Sequence, residues 1–221
     1  MKLLTEKYIS EQRVAGTPRL SKTQMNIKFI HITKTAGTSL ENIGEEHGYL
    51  WGRFDVEYLE QFNRQKFKYC NVWHCPLQYF DTNPYKNQLL FTIVRNPYTR
   101  CISEYYCPWT GNPKEFATVA EFNEWLIEKL EQKDIVSFLP YSDYLYYDNE
   151  IVVDYVLYFE NLKNGVASLF DTIILDKHVN KAYREKKYGV DDLTNETIEL
   201  ITKKYEKDFS LFGYTKRQSS F

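Results

Sequence analysis

Residues 26–40 read NIKFIHITKTAGTSL, and this stretch decides the fold class of the chain. Residues 26–32 alternate between apolar and polar side chains, which predicts a β-strand. After a tight loop, residues 38–47 read as an α-helix with Thr38 or Ser39 as its cap. A strand that passes through a short loop into a helix is the building unit of α/β domains.

The loop between this strand and this helix carries the groups of an anion-binding site. Lys34 supplies a positive charge, and the small residues Ala36 and Gly37 allow backbone N–H groups to converge. Thr38 and Ser39 add hydroxyl donors, and the helix N-terminus adds about half a positive charge. A Walker A loop has its lysine after the glycines, whereas Lys34 precedes Gly37. The pattern favours a phosphate-binding loop of another type over a plain strand–turn–helix junction.

A second candidate anion contact follows the apolar run LLFTIV at residues 89–94, which reads as a strand buried on both faces. Pro97 suits the first turn of a helix that continues to about residue 106. Arg95 therefore lies at the carboxyl end of the strand, and Ser103 lies about two turns into the helix. An arginine there can bind a phosphate through two N–H groups, and a serine can add a hydroxyl. A salt-bridged strand end is the alternative reading of Arg95 alone.

The rest of the chain alternates strands with helices, which predicts one α/β domain with a central, mostly parallel sheet flanked by helices. Further strands are predicted at residues 68–73 and 152–159, and further helices at residues 55–66, 119–132, 162–170 and 194–207. Ligands of such sheets bind at the carboxyl ends of the strands. The loops after residues 32, 73 and 94 are therefore the expected site.

Composition narrows the class of protein. The 28 Lys and Arg residues nearly balance the 30 Asp and Glu residues, so a general nucleic-acid binder is not expected. We see no export signal and no apolar run of membrane-spanning length, so a cytoplasmic protein with no membrane partner is expected. The 4 cysteines and 4 histidines show no zinc-binding spacing, so free thiols and no metal are expected. Aromatic residues make up 17% of the chain and predict a core built on rings.

The two anion motifs resemble those of sulfotransferases that use 3′-phosphoadenosine-5′-phosphosulfate (PAPS). KTAGTSLE after KFIHI is similar to the 5′-phosphosulfate loop of the family whose typical form is HIPKTGGTS, which includes uronyl 2-O-sulfotransferases and carbohydrate sulfotransferases. Thr33 stands where proline is usual, and Ala36 where glycine is usual. Ala36 is a serious departure only if that position needs a positive φ.

Other segments extend the resemblance to roughly residues 26–215. RNPYTRCISEYY at residues 95–106 is similar to the segment that binds the 3′-phosphate of PAPS, where Arg95 and Ser103 match the functional positions. Arg100 matches a basic position of less certain role. Residues 155–162 and 205–214 resemble the strand ending in FENL and the YxxDFxxFGY signature, in which Glu160 and Asp208 are expected to be structural. Residues 178–181 resemble a loop whose asparagine closes over the nucleotide.

The resemblance implies a single P-loop-like domain at residues 26–215, followed by a tail at residues 216–221. Residues 1–25 are polar and contain the breaker Gly16-Thr17-Pro18, so a loosely ordered arm is expected there. It implies PAPS as co-substrate and an acceptor hydroxyl, expected on a carbohydrate. The expected donor-binding residues are Lys34, Thr35, Ala36, Gly37, Thr38, Ser39, Arg95 and Ser103. Lys34 is also expected to neutralise charge on the leaving group, which Mg²⁺ does in kinases.

His74 is the candidate general base, because histidine accepts protons near neutral pH. Its context, YCNVWHCPL, partly resembles the family's GHxPF-like motif, with Trp73 in place of glycine. A structural histidine is the alternative, and Asp55 and Glu57 are rival bases because other sulfotransferases use a carboxylate from about this region. His31 is expected to be packed in the first strand.

Two other functions are compatible with the sequence. One is a P-loop-type nucleotide kinase or phosphotransferase, although no clear Mg²⁺-binding Walker B aspartate is visible. The other is a non-catalytic module that binds a nucleotide. Aromatic residues in two variable stretches suit sugar stacking and a packed core equally well; they are Trp51, Trp109, Tyr141, Tyr144, Tyr146 and Tyr147.

Overall fold

The computed structural model describes residues 27–56, 58, 72–109, 118–133, 135–170, 172–175 and 187–218. Its strands are β1 (Ile27–Ile30), β2 (Leu89–Val94), β3 (Tyr146–Tyr147), β4 (Glu150–Ile151) and β5 (Tyr155–Tyr158). Three of them form a parallel sheet in the order β1-β2-β5, with Ile30 opposite Thr92 and Val94 opposite Tyr158. β3 and β4 pair as a separate antiparallel hairpin. The α/β class and the parallel central sheet are confirmed.

Helices connect and flank these strands close to the predicted positions. They are α1 (Gly37–Glu46), α2 (Pro97–Tyr105), α3 (Val119–Glu131), α4 (Tyr141–Leu145), α5 (Leu162–Leu169), α6 (Asn195–Lys204) and α7 (Glu206–Phe212). The single helix predicted over residues 194–207 is in fact two, since the chain turns at Tyr205. Tyr205 is buried and its hydroxyl donates to the carbonyl of Phe138, which fixes the turn against the core.

The strand predicted at residues 68–73 is wrong where it can be compared. Val72–His74 form a short 3₁₀ turn, and residues 68–71 lie outside the described part of the chain. The imidazole of His74 in this turn contacts His31, just beyond the end of β1. Of the helix predicted at residues 55–66, only the first few positions are described, and Val56 and Tyr58 are helical.

Two apolar cores lie on opposite faces of the sheet, because successive side chains of a strand point to opposite sides. One face carries the contacting rings of Phe29, Trp51, Phe91 and Phe170, whose centroids are 5.0–6.3 Å apart. The other face packs residues of β1 and β2 against α4. A third cluster joins α2, α3, α6 and α7. The expected aromatic core is present, and it holds the sheet rigid beneath the loops at its carboxyl edge.

The parallel sheet brings the ends of its three strands to one edge. The loop at residues 31–36 follows β1, Arg95 follows β2, and the Phe159–Asn161 turn follows β5. Both predicted anion motifs therefore lie side by side. Within the described ranges, no helix is long and apolar enough to span a membrane.

Candidate active site

The loop after β1 ends in a helix whose first turn has no side-chain cap. The helix begins at Gly37, and Ala36 occupies the N-cap position without a side-chain hydrogen bond. Thr38 and Ser39 lie in the first turn, so the prediction that one of them caps the helix is wrong. An α-helix leaves its first backbone N–H groups without intrahelical partners. These groups, together with the positive end of the helix dipole, are available to an anion.

Ala36 adopts the left-handed backbone conformation, with φ of 74°. This is the position at which the resembled family usually has glycine, and the structure shows that it does need a positive φ. A residue with a Cβ is strained there by about 1–2 kcal/mol. The strain is local to the loop that holds Lys34, whose own φ is 62°.

Ala36→Gly is expected to raise the free energy of unfolding by about 0.5–1.5 kcal/mol, because glycine adopts a positive φ without a clash. Denaturant unfolding measures the change. Ala167→Gly is the matched control, since Ala167 is exposed within α5 and the same replacement there should lower stability by about 0.5–1 kcal/mol. Equal losses at both positions would contradict the strain at Ala36.

The side chains of the loop divide into those that hold it and those that face outward. Thr35 is fully buried, and its hydroxyl donates to the carbonyl of Ile32 at 2.8 Å. The Thr35 hydroxyl is therefore occupied, and only the backbone N–H of Thr35 remains to bind an anion. Lys34 and Thr38 are half-buried, so the ammonium group and one hydroxyl remain accessible. Ser39 is buried in the first turn of α1.

Gly37 is required by a close approach rather than by its backbone angles. A Cβ placed on Gly37 would lie 2.2 Å from the Cδ2 and Nε2 atoms of His31. The imidazole of His31 thus packs directly beneath the start of α1. His31 is buried just beyond the end of β1, as expected from the sequence.

Arg95 is a largely buried cation with no carboxylate partner among the described residues. Its Nη1 donates to the carbonyl of Lys34 at 3.2 Å, and its Nε donates to Thr99 Oγ1 at 3.0 Å. The guanidinium lies 4.0 Å from the ring centroid of Phe159. Burial lowers the pKa of Arg95, and the nearby Tyr141 hydroxyl and Glu160 carboxylate only partly offset this effect. Among the described residues, no carboxylate forms a salt bridge with Arg95, so the salt-bridged strand end is not observed there.

Tyr141 fixes the backbone of Arg95. Its buried hydroxyl donates to the Arg95 carbonyl at 2.7 Å and accepts from the Arg95 N–H at 3.1 Å. Because both contacts involve one hydroxyl, Tyr141 sets the direction in which the chain leaves β2. The two residues are 46 positions apart, and no local pattern signals the contact.

Arg100 has a structural role. Its guanidinium is fully buried and donates to the carbonyl of Thr33, the hydroxyl of Thr33 and the carbonyl of Leu139 at 2.8–3.2 Å. Thr33 in turn donates to the carbonyl of Ser137. A proline at residue 33 could make none of the hydroxyl contacts, so this departure from the family pattern ties the loop to the core.

Ser103 lies on α2 one turn beyond Thr99, and residues four apart share a helix face. Thr99 holds the guanidinium of Arg95, so Ser103 extends the same surface. Ser103 is half-buried and makes no hydrogen bond to another residue in the described ranges. The two predicted residues of the second motif therefore face one region.

His74 lies beside the loop after β1. Its Nδ1 is 3.3 Å from the carbonyl of His31, and the two imidazole centroids are 4.2 Å apart with the rings nearly perpendicular. A carbonyl only accepts, so Nδ1 carries the proton in neutral His74 and Nε2 keeps its lone pair. Burial, and then the charge of His31, hold the pKa of His74 well below 6.5. His74 is thus kept in a form that accepts a proton.

The rival base Asp55 is occupied elsewhere. Its side chain is 2% exposed, and it accepts from Lys28 Nζ at 2.7 Å, from the Tyr58 N–H at 3.2 Å and from the Tyr85 hydroxyl at 3.3 Å. Lys28 is the second residue of β1, away from the carboxyl edge of the sheet. Glu57, and the loop at residues 178–181, lie outside the described residues.

The carboxylates of the two later motifs, Glu160 and Asp208, accept hydrogen bonds from backbone N–H groups. Glu160 accepts from the Asn96 N–H at 2.7 Å and from the Tyr214 hydroxyl at 3.0 Å. Asp208 accepts from the N–H groups of Tyr141 and Ser142 at the start of α4. Burial raises the pKa of Asp208 to about 6, although these N–H groups favour its charged form. Both residues are structural, as expected.

Half of the aromatic residues that could stack on a sugar are inaccessible. Trp51, Tyr141 and Tyr144 are at most 1% exposed. Tyr146 and Tyr147 are half-buried in β3, and Trp109 is 89% exposed.

Comparison with known proteins adds one finding. The model of a family described as "Sulfotransferase family" matches residues 20–215, which is most of the chain. No curated protein matches the chain, and no solved structure matches it.

In the described ranges, no group of three or more His, Cys, Asp or Glu side chains is arranged to hold a metal ion.

Proposed function

The chain belongs to the sulfotransferase family, and on that premise we propose that it transfers the sulfuryl group of PAPS to an acceptor hydroxyl. Membership supports sulfuryl transfer in general. PAPS is proposed as the donor from the resemblance of the two anion motifs, and the geometry of the site supports the proposed roles of individual residues.

The observation that carries the proposal is the largely buried guanidinium of Arg95, which has no ion-pair partner among the described residues and lies next to the loop that leads into α1. Arg95 Nη1 contacts the Lys34 carbonyl, so the guanidinium and the loop belong to one surface. PAPS carries two anionic groups that fit this surface. The 5′-phosphosulfate would bind at Lys34 and the N-terminus of α1, and the 3′-phosphate would bind Arg95 and Ser103.

Lys34 acts on the leaving group. During transfer, the bond between sulfur and the bridging oxygen breaks, and its electron pair stays on the 5′-phosphate of the nucleotide. A cation beside that oxygen becomes more stabilising as the charge develops. The half-buried Lys34 ammonium and the backbone N–H groups of α1 supply this positive charge.

His74 acts on the acceptor. A new bond forms between sulfur and the acceptor oxygen, and the acceptor proton moves to His74 Nε2. The contact of Nδ1 with the His31 carbonyl fixes which nitrogen receives it. We propose a carbohydrate acceptor, since Trp73 beside His74, with ring centroids 5.8 Å apart, is half-buried and offers an aromatic surface next to the base.

Thermal-shift titration tests the donor. The product nucleotide 3′-phosphoadenosine-5′-phosphate (PAP) is expected to raise Tm at concentrations at which ATP and GTP do not. Transfer of labelled sulfate from PAPS to a panel of glycans, phenols and peptides then tests the acceptor class. Stabilisation by ATP or GTP but not by PAP would contradict the proposal.

Sulfuryl transfer is expected to survive an excess of EDTA. The positive charge that Mg²⁺ supplies in kinases is here assigned to Lys34 and the N-terminus of α1. The rate of labelled sulfate transfer with and without EDTA measures the effect. Loss of activity with rescue by Mg²⁺ would instead favour the phosphotransferase alternative.

A further inference from the structure

Beneath the site lies a buried contact between a histidine and a carboxylate, which the proposed reaction does not use. His31 Nδ1 is 2.5 Å from Glu41 Oε1, and the two side chains are 3% and 1% exposed. A carboxylate only accepts, so His31 Nδ1 carries a proton. The second oxygen of Glu41 has no hydrogen-bond partner, and Arg53 Nε is 3.9 Å from it. Burying ionisable side chains costs free energy unless they are paired. The burial of His31 and Glu41 therefore points to a role for them in the site.

The pair contacts both halves of the site. The His31 ring packs beneath Gly37, at the start of the anion-binding helix. The same ring lies edge-on to His74, and the His31 carbonyl holds His74 Nδ1. Glu41 is itself held in place by Gly52, since a Cβ at Gly52 would lie within 2 Å of Glu41 Oε1. His31 is therefore fixed between the donor loop and the base.

We propose that the His31–Glu41 ion pair is a positioning element for the base. In its imidazolium–carboxylate form, the pair presents the positive side of a buried dipole to His74. A proton on His74 would face that charge, so His74 stays neutral and keeps the lone pair on Nε2. This inference rests on the proposed function only in calling His74 the base, because the electrostatic effect exists without a substrate.

Other charged groups near His74 act in the same direction. Lys34 and Arg100 lower the pKa of His74, after burial and His31, while the His31 carbonyl raises it. Arg53 faces Glu41 from the Gly52–Phe54 turn. Substituting His31 and Glu41 together leaves Lys34 and Arg100 in place, so the contribution of the pair to the pKa of His74 can be measured separately.

The test is an NMR titration of histidines in protein labelled with ¹⁵N on the imidazole rings. The chain has 4 histidines, so single substitutions assign every signal. In the unsubstituted protein, neutral His74 is expected to show a protonated Nδ1 and to titrate well below 6.5. The double variant His31→Phe/Glu41→Leu replaces the pair by apolar groups of similar size, which buried ion pairs often tolerate. We expect it to raise the pKa of His74 by about 0.5–1.5 units.

Exposed His47 is the internal control and should show no change. An unchanged or lower pKa of His74 in the double variant, or a protonated Nε2 in the unsubstituted protein, would overturn the proposal. Absence of PAP binding would instead contradict the proposed function, and the titration would still report on the ion pair.

Discussion

Replacing His74 by alanine is expected to lower kcat for sulfate transfer by about 10²–10⁴-fold and to leave the affinity for PAP nearly unchanged. The base acts on the acceptor proton in the transition state, whereas PAP contacts the loop and Arg95. Initial rates with a PAPS-dependent acceptor and a direct PAP titration separate the two effects. His47→Ala is the matched control, because His47 is exposed at the far end of α1 and should change neither.

The pH profile adds an independent readout of the same residue. Only neutral His74 can accept a proton, so kcat/KM should fall as the pH decreases through the pKa of His74 in the unliganded enzyme. Burial and the charge of His31 lower that pKa, so activity should persist well below pH 6.5. If His74→Ala keeps most of the activity and Glu57→Gln removes it, the base is a carboxylate and His74 is structural.

The hydrophobic pattern and residues such as proline that start helices predict the central strands and helices well, because both signals are local in the sequence. The run LLFTIV becomes β2, since its five apolar residues point to both sides of the strand and are buried only between two packed faces. Pro97 begins α2 because its fixed φ and missing N–H suit the first turn of a helix. The positions of Lys34 and Arg95 at the carboxyl edge then follow from parallel pairing.

Features that depend on distant contacts could not be predicted. Val72–His74 form a turn in which His74 contacts the ring and the carbonyl of His31, 43 positions earlier in the chain. Thr33 departs from the family pattern, and the sequence does not show that its hydroxyl accepts a hydrogen bond from Arg100, 67 positions away. From the sequence we could state only that alanine at position 36 matters if that position needs a positive φ. Whether it does could not be predicted, because a sequence does not show its own backbone angles.

The unpaired charge of Arg95 leads to the other large expected effect. Arg95→Ala is expected to weaken PAP binding by about 30- to 1,000-fold, since a charge-assisted, two-pronged contact contributes about 2–4 kcal/mol. Adenosine 5′-phosphosulfate lacks the 3′-phosphate, so its affinity should change far less. Calorimetric titration of both nucleotides measures the difference, and the melting curve without ligand shows whether the variant folds.

Two further variants define what Arg95 contributes. Arg95→Lys keeps the charge but loses the planar pair of N–H donors, so it should restore only part of the PAP affinity. Arg217→Ala removes an exposed arginine that pairs with Asp191, and it should leave both affinities unchanged. Equal losses for PAP and adenosine 5′-phosphosulfate would mean that Arg95 acts by holding the Lys34 carbonyl and the loop. The 3′-phosphate would then require another cation at the same edge of the sheet.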